Sequence, residues 1–219
     1  MRRSLIAMAV AAVLSFTPGI GAALATPAAR STRPVFQTWD PTTPIGTSTL
    51  VRTDGGISAT FHSSGLPAGQ AVTMWFVVFN NPEACFATPC GLADLLFNED
   101  AEGDFLVGAG KVIGGSGSGD FGGHLQVGDV RGSAFPEIGM AERSVGLTNP
   151  RGAQVGLLLH SHGPKVPGQV LPSQLSSFTG GCDVFLGDLE LPGSGIADGP
   201  EDVPQAVGEC STIQVSLHL

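Results

Sequence analysis

Residues 47–63 read TSTLVRTDGGISATFHS, two runs of alternating apolar and polar side chains on either side of Asp54-Gly55-Gly56. A period of two marks a strand with one covered face, and Asp and Gly tolerate the positive φ of a tight hairpin turn. The stretch therefore predicts strands over 47–53 and 57–63 joined by a short turn. Working outward, 71–79 (AVTMWFVVF) is apolar at every position but Thr73, which predicts a central strand covered on both faces and entered through the turn at Leu66-Pro67-Ala68-Gly69. Strands are also expected over 105–113 and 121–127, flanking the glycine-rich tip GGSGSGDFGG, and over 154–161 and 211–219. Residues 35–39 and 183–191 are weaker candidates, and 91–97 (GLADLLF) is the best short helix.

With 32 glycines, 16 prolines and no long helical period, the chain reads as short strands punctuated by turns. The expected class is all-β: a two-sheet Greek-key sandwich, immunoglobulin-like or superoxide dismutase-like, with eight or nine strands and at most one short helix.

Residues 1–25 carry Arg2 and Arg3, an apolar run from Ile6 to Phe16 and the small-residue pattern Ala23-Leu24-Ala25, the order of a secretory signal. The arginine pair also admits a twin-arginine reading. Residues 26–33 are expected as a flexible linker and 34–219 as one domain, secreted to the periplasm or beyond. Without Arg2 and Arg3, eight basic residues face nineteen acidic ones, a net charge of −11. That balance disfavours nucleic acid and anionic membrane surfaces, and the apolar run is too short to cross a bilayer. The expected partner is an extracellular ligand or protein, with neither nucleic acid binding nor membrane insertion.

Four cysteines in an exported chain suggest two disulfides. Of three pairings, spacing favours Cys85 with Cys90 and Cys182 with Cys210. A four-cysteine zinc site competes, but the short C-x-x-C pairs that serve it are missing. The segment WFVVFNNPEAC turns off a buried strand at Asn80, Asn81 and Pro82 into the Cys85 loop, which predicts a rigid exposed surface suited to binding.

No complete catalytic motif is present. There is no G-x-S-x-G elbow, and the glycine-rich tip lacks the Lys-Ser/Thr of a phosphate loop. A triad gathered from distant strands leaves no spacing signature, so no catalytic residue is assigned and catalysis is left open. NEDAEGD, 98–104, begins like a calcium loop but has Ala109 where a bidentate glutamate belongs. A looser calcium site and a solvated acidic turn are the two readings.

LLLHSHGPKVPG, 157–168, places His160 and His162 on one strand face, with Leu158, opposite Val155, Leu157 and Leu159. Alternation also sets His62, His124 and His218 opposite apolar faces, so all five histidines are expected on polar, outward faces. No cofactor is required, and five solvated histidines is one reading. The other is a mononuclear copper or zinc site. Residues i and i+2 on a strand stand roughly 7 Å apart, close enough for two imidazoles to reach one metal. His160 and His162 would be ligands, completed by His218, His62 or His124 in that order.

HSHGPKVPGQV resembles the H-x-H-G-P…G-x-V stretch of chordin-type (CHRD) domains, secreted β-sandwich modules. Together with GLPAGQAVTMWFVVFNNPEAC and FTGGC it is also similar to a group of uncharacterised exported bacterial proteins over Leu66 to Cys182. The H-x-H strand end followed by a long loop holding Cys182, with Cys210 near the last strand, resembles Cu/Zn superoxide dismutases in the order of its features. That family implies six histidines and an aspartate around two metals. Five histidines, with none between Gly163 and Leu217, exclude the dinuclear site and leave at most a copper-only variant. These resemblances imply a β-sandwich and bring no certain reaction. The expectation is a non-catalytic binding or structural module, with a mononuclear copper or zinc protein of superoxide dismutase-like activity as the alternative.

Overall fold

The computed structural model describes residues 26–182 and 210–219. The expected export signal over 1–25 and the strand candidate over 183–191 lie outside them. Eight antiparallel strands carry the described chain: β1 (Ala29–Gln37), β2 (Asp40–Thr53), β3 (Gly56–Ser63), β4 (Gln70–Phe79), β5 (Gly103–Val112), β6 (Gly119–Gln126), β7 (Gln154–Pro164) and β8 (Ser211–His218). The all-β expectation holds. The quoted hairpin forms in the expected register, with Thr53 opposite Gly56 and Leu50 opposite Ala59.

The strands form one continuous ladder in the order β5-β4-β7-β8-β1-β2-β3-β6, curled until its two ends nearly meet. Gly108 is the extra residue of a bulge, because Met74 pairs with Ala109 and Trp75 with Val107. A Cβ on Gly123 of β6 would stand 2.9 Å from the Gly108 Cα and 2.8 Å from the Phe76 ring. Only glycine permits that approach, so the pair lets the edges close the sheet toward a barrel.

Two expectations are corrected. The segment 26–33, expected as a linker, enters β1 at Ala29, with Ala29 to Pro34 pairing in unbroken register with Arg52 to Thr47. Its side chains carry no apolar pattern; what places it is the open edge of β2, whose backbone donors and acceptors need partners, with Thr32 and Thr49 hydroxyls 3.0 Å apart across the pair. The described residues also form two short helices rather than at most one, α1 (Leu92–Phe97) and α2 (Val170–Gln174). Pro172 falls in the first turn of α2, where a missing N–H costs nothing.

The interior core is built from Leu50, Phe61, Met74, Phe76, Leu106, Phe121, Leu157 and Leu159 with their buried neighbours. A second apolar cluster lies on the outer face of β4 and β5, where Trp75, Phe79 and Phe105 are covered by Leu95, Leu96, Phe135 and Ile138 from the long excursions after β4 and β6. This accounts for the two-faced apolarity of β4. It also overturns the expectation of solvated histidines for His160 and His162, while His62 and His124 are exposed as expected: Leu158, Trp75 and His160 share the outer face, and that face is roofed over.

Candidate functional site

Strand β8 is inverted relative to its pattern. Val155, Leu157 and Leu159 face the interior, and their partners across the ladder are His218, Ser216 and Gln214. Those polar residues therefore point inward, satisfied by serines: Gln214 accepts from Ser63 and donates to the Ser64 carbonyl, and Ser216 and Ser48 hydroxyls lie 2.6 Å apart. The consequence is that Val215 and Leu217, each half-buried, project outward.

An apolar cavity of about 590 Å³ opens on that outer face, among the described residues. Its floor includes Val77, Leu158, Val215 and Leu217, and its wall Leu95, Leu96, Phe105 and Phe178. One end is closed by the Cys85–Cys90 loop, whose disulfide forms as expected. Gln154 at the start of β7 holds that loop by two bonds, accepting from the Cys90 N–H at 2.9 Å and donating to the Cys90 carbonyl at 3.0 Å. From α1, the Asp94 carboxylate accepts from the Phe86 N–H of that loop, from the Gly91 N–H and from Asn98. Burial pushes its pKa up, and these bonds more than offset that, leaving it lowered. Arg33, exposed, is the one charged residue among the described residues that line the cavity.

His160 and His162 come together at the far end of β7, with ring centroids 5.0 Å apart. His162 is fully buried and fully bonded: its Nδ1–H donates to the Gly180 carbonyl at 2.9 Å, and its Nε2 accepts from the Thr73 hydroxyl at 2.8 Å. Thr73 is in turn fixed by the Trp75 indole N–H at 2.7 Å. His160 is 3% exposed and stacked on Phe178 at 4.3 Å, yet neither ring nitrogen has a hydrogen-bond partner among the described residues. An unpaired buried polar atom costs on the order of 1–3 kcal/mol. Burial, with a smaller contribution from His162, lowers the His160 pKa to about 3. Burial likewise lowers that of His162 to about 4, against the Gly180 bond, which raises it. Both rings are neutral at ordinary pH.

The second disulfide, Cys182–Cys210, forms beside them. The His162 Nδ1 lies 3.7 Å from the Cys182 Sγ and 3.9 Å from that of Cys210. Ligand atoms of His160, His162, Cys182 and Cys210 all fall within 4.8 Å of one another. As a disulfide the sulfurs are poor metal ligands, because the thiolate is the binding form.

The other expected ligands lie elsewhere. His218 sits opposite Val155, five residues and roughly 16 Å along β7 from His160, on the opposite face, with Nδ1 2.7 Å from the Ser31 hydroxyl and Nε2 2.8 Å from that of Ser48. Burial, then Arg52 and Arg33, lowers its pKa to about 4. His62 pairs with exposed Asp120 at 2.7 Å, and His124 with the Ser58 hydroxyl at 2.9 Å, both across β3 and β6. The acidic stretch 98–104 gathers no carboxylate cluster among the described residues. Its Asp104 is buried and accepts from Ser133, Phe105 and Gly146, anchoring the excursion after β6; burial still raises its pKa. Sequence reasoning did not single out Gln154, Thr73, Phe178 or Arg33. The outward Leu158 on the histidine face was the visible sign that this face is covered.

Comparison with known protein families, curated proteins and solved structures finds no match for this chain.

Proposed function

We propose that the protein is a secreted, disulfide-bonded binding module, without catalysis, that takes up an apolar molecule bearing an anionic group. The observation that carries this reading is the apolar cavity of about 590 Å³ over β4, β7 and β8, with Arg33 as the one charge among the described residues that line it, within the range of small-molecule sites. An acidic chain offers little else to attract an anion, which is why the single cation matters. Export is supported by the two disulfides, by the amino-terminal pattern, and by the lack of any helix among the described residues long and apolar enough to cross a membrane. A Greek-key arrangement is supported by β7 lying beside β4 while β6 approaches β5, the order 7-4-5-6. The kinship with chordin-type domains rests on HSHGP at the end of β7.

The experiment is uptake of a long-chain saturated carboxylate by the full mature chain, followed by displacement of a fluorescent apolar probe, with the matching alcohol in parallel. One equivalent displaced by the carboxylate supports the reading. Failure of both ligands defeats it, and equal binding of both removes the anionic requirement.

The alternative, a mononuclear copper or zinc protein with superoxide dismutase-like activity, keeps His160 and His162 from its expected ligand set. The specific observation in its favour is the unpartnered His160.

A further inference from the structure

We infer that reduction of the Cys182–Cys210 disulfide converts this corner of the fold into a closed four-ligand site for a thiophilic divalent cation, zinc above all, held by His160, His162, Cys182 and Cys210. The inference goes beyond the apolar cavity and does not depend on it. Two independent observations carry it. All four ligand atoms lie within 4.8 Å of one another on three separated segments, the end of β7, the turn after α2 and the residue before β8. His160, 97% buried, has both ring nitrogens without partners among the described residues.

Two of the spacings already match those of a tetrahedral centre. With Zn–S near 2.3 Å and Zn–N near 2.05 Å, nitrogen and sulfur ligands stand about 3.6 Å apart and two sulfurs about 3.8 Å apart. The His162 Nδ1 already lies 3.7 and 3.9 Å from the two sulfurs. Coordination also requires the sulfurs to separate, from a bonded distance of about 2 Å to about 3.8 Å.

The chemistry balances with a dithiol as reductant. Its thiolate attacks the Cys210 sulfur, on the more exposed of the two cysteines, and expels Cys182 as thiolate. The second thiol of the reductant then displaces Cys210, leaving a cyclic disulfide. Two electrons and two protons pass to the protein. Binding of the divalent cation releases those two protons as both sulfurs coordinate as thiolates.

Coordination through Nδ1 gives up the His162 bond to the Gly180 carbonyl, while the bonds on the Nε2 side accommodate the change. To coordinate through Nδ1, His162 moves its proton to Nε2, which then donates to the Thr73 Oγ1 2.8 Å away. The Thr73 hydroxyl, still accepting from Trp75, turns to the His160 carbonyl at 3.5 Å. A hydrogen-bond partner on the distal nitrogen is how metal-bound histidines are oriented. Oxidised, the same residues have no thiolate to offer. The bond therefore acts as a redox gate on metal uptake.

The test is a cobalt(II) titration of the full mature chain, oxidised and after phosphine reduction, with far-ultraviolet circular dichroism reporting the fold. The reduced chain is expected to stay folded and bind one equivalent, with a thiolate-to-cobalt charge-transfer band that zinc abolishes, and the oxidised chain to bind at least 100-fold more weakly. His160→Phe keeps a ring against Phe178 and removes the ligand; it is expected to weaken cobalt binding by ~100-fold, and Thr73→Val by ~10-fold. Cys182→Ser with Cys210→Ser should abolish the band while leaving Cys85 and Cys90 in place. Absence of the band in the folded reduced chain, its survival in the double serine variant, unfolding on reduction, or indifference to His160→Phe each overturns the inference.

Discussion

The ring of Phe178 lies stacked on that of His160, centroids 4.3 Å apart and planes 22° from parallel. Phe178 also lines the apolar cavity and meets Trp75 and Phe105 edge-on. One side chain thus joins the two candidate sites, and His160 behaves in the metal-free oxidised protein as a buried apolar ring.

That equivalence predicts opposite outcomes for adjacent histidines. His160→Phe, which removes two unpartnered nitrogens, should leave stability within about 1 kcal/mol or raise it, since deleting an unsatisfied polar group relieves a desolvation cost. His162→Phe strands the Gly180 carbonyl and the Thr73 hydroxyl and should cost about 2–4 kcal/mol. Urea denaturation of the oxidised chains measures both. Equal losses in the two variants would contradict the assignment.

His218 makes stability depend on pH. Its folded pKa is lowered from 6.5 to about 4, so as pH falls the unfolded chain takes up the proton first. Its stabilising share is complete above 6.5 and is lost as pH falls toward 4, by about 1.4 kcal/mol per unit in the window for one proton. His160 and His162 add in the same direction. In His218→Gln the acid limb should be shallower by one proton, as read from denaturation midpoints at several pH values. An unchanged slope would show that His218 is protonated in the folded chain.

Closure of the sheet rests on Gly123. Gly123→Ala drives a methyl against the Gly108 backbone and the Phe76 ring and should cost about 1–3 kcal/mol by overpacking. Gly122→Ala, whose nearest contact would be the Ala59 carbonyl at 3.7 Å, should fall within about 0.5 kcal/mol of the parent. Thermal midpoints of the two variants report the contrast.

Arg33 is assigned the anionic end of the ligand. Since it is exposed, Arg33→Ala should weaken binding of a long-chain carboxylate by only ~2–5-fold and leave the matching alcohol unaffected. Competition against one fluorescent probe separates the two ligands, and equal effects on both would remove Arg33 from recognition.

Much of this architecture was legible in the sequence. The hairpin at Asp54-Gly55 was, because alternation and turn chemistry agree there; the two-faced apolarity of β4 was, because both of its faces are covered. The faces of β7 were also read correctly, Val155, Leu157 and Leu159 inward and His160 and His162 outward. What could not be read was pairing. Without knowing that β7 lies beside β4, nothing told His160 that the roof over Trp75 extends to it. Strand β8 misled by its own pattern: its apolar residues line an outer cavity and its polar ones are satisfied by serines on β1, β2 and β3, a long-range arrangement that alternation does not encode. The expected ligands His218 and His62 fell away for the same reason, and Cys182 and Cys210 took their place beside His160.

The most direct test of the central claim is a calorimetric titration of palmitate into residues 26–219 and into the same chain with Val215→Glu, a half-buried outward position on the cavity floor. One equivalent bound by the parent, with affinity reduced at least ~10-fold by a carboxylate placed in an apolar site, is the predicted result. Absence of binding to the parent, or equal binding by both, would contradict it.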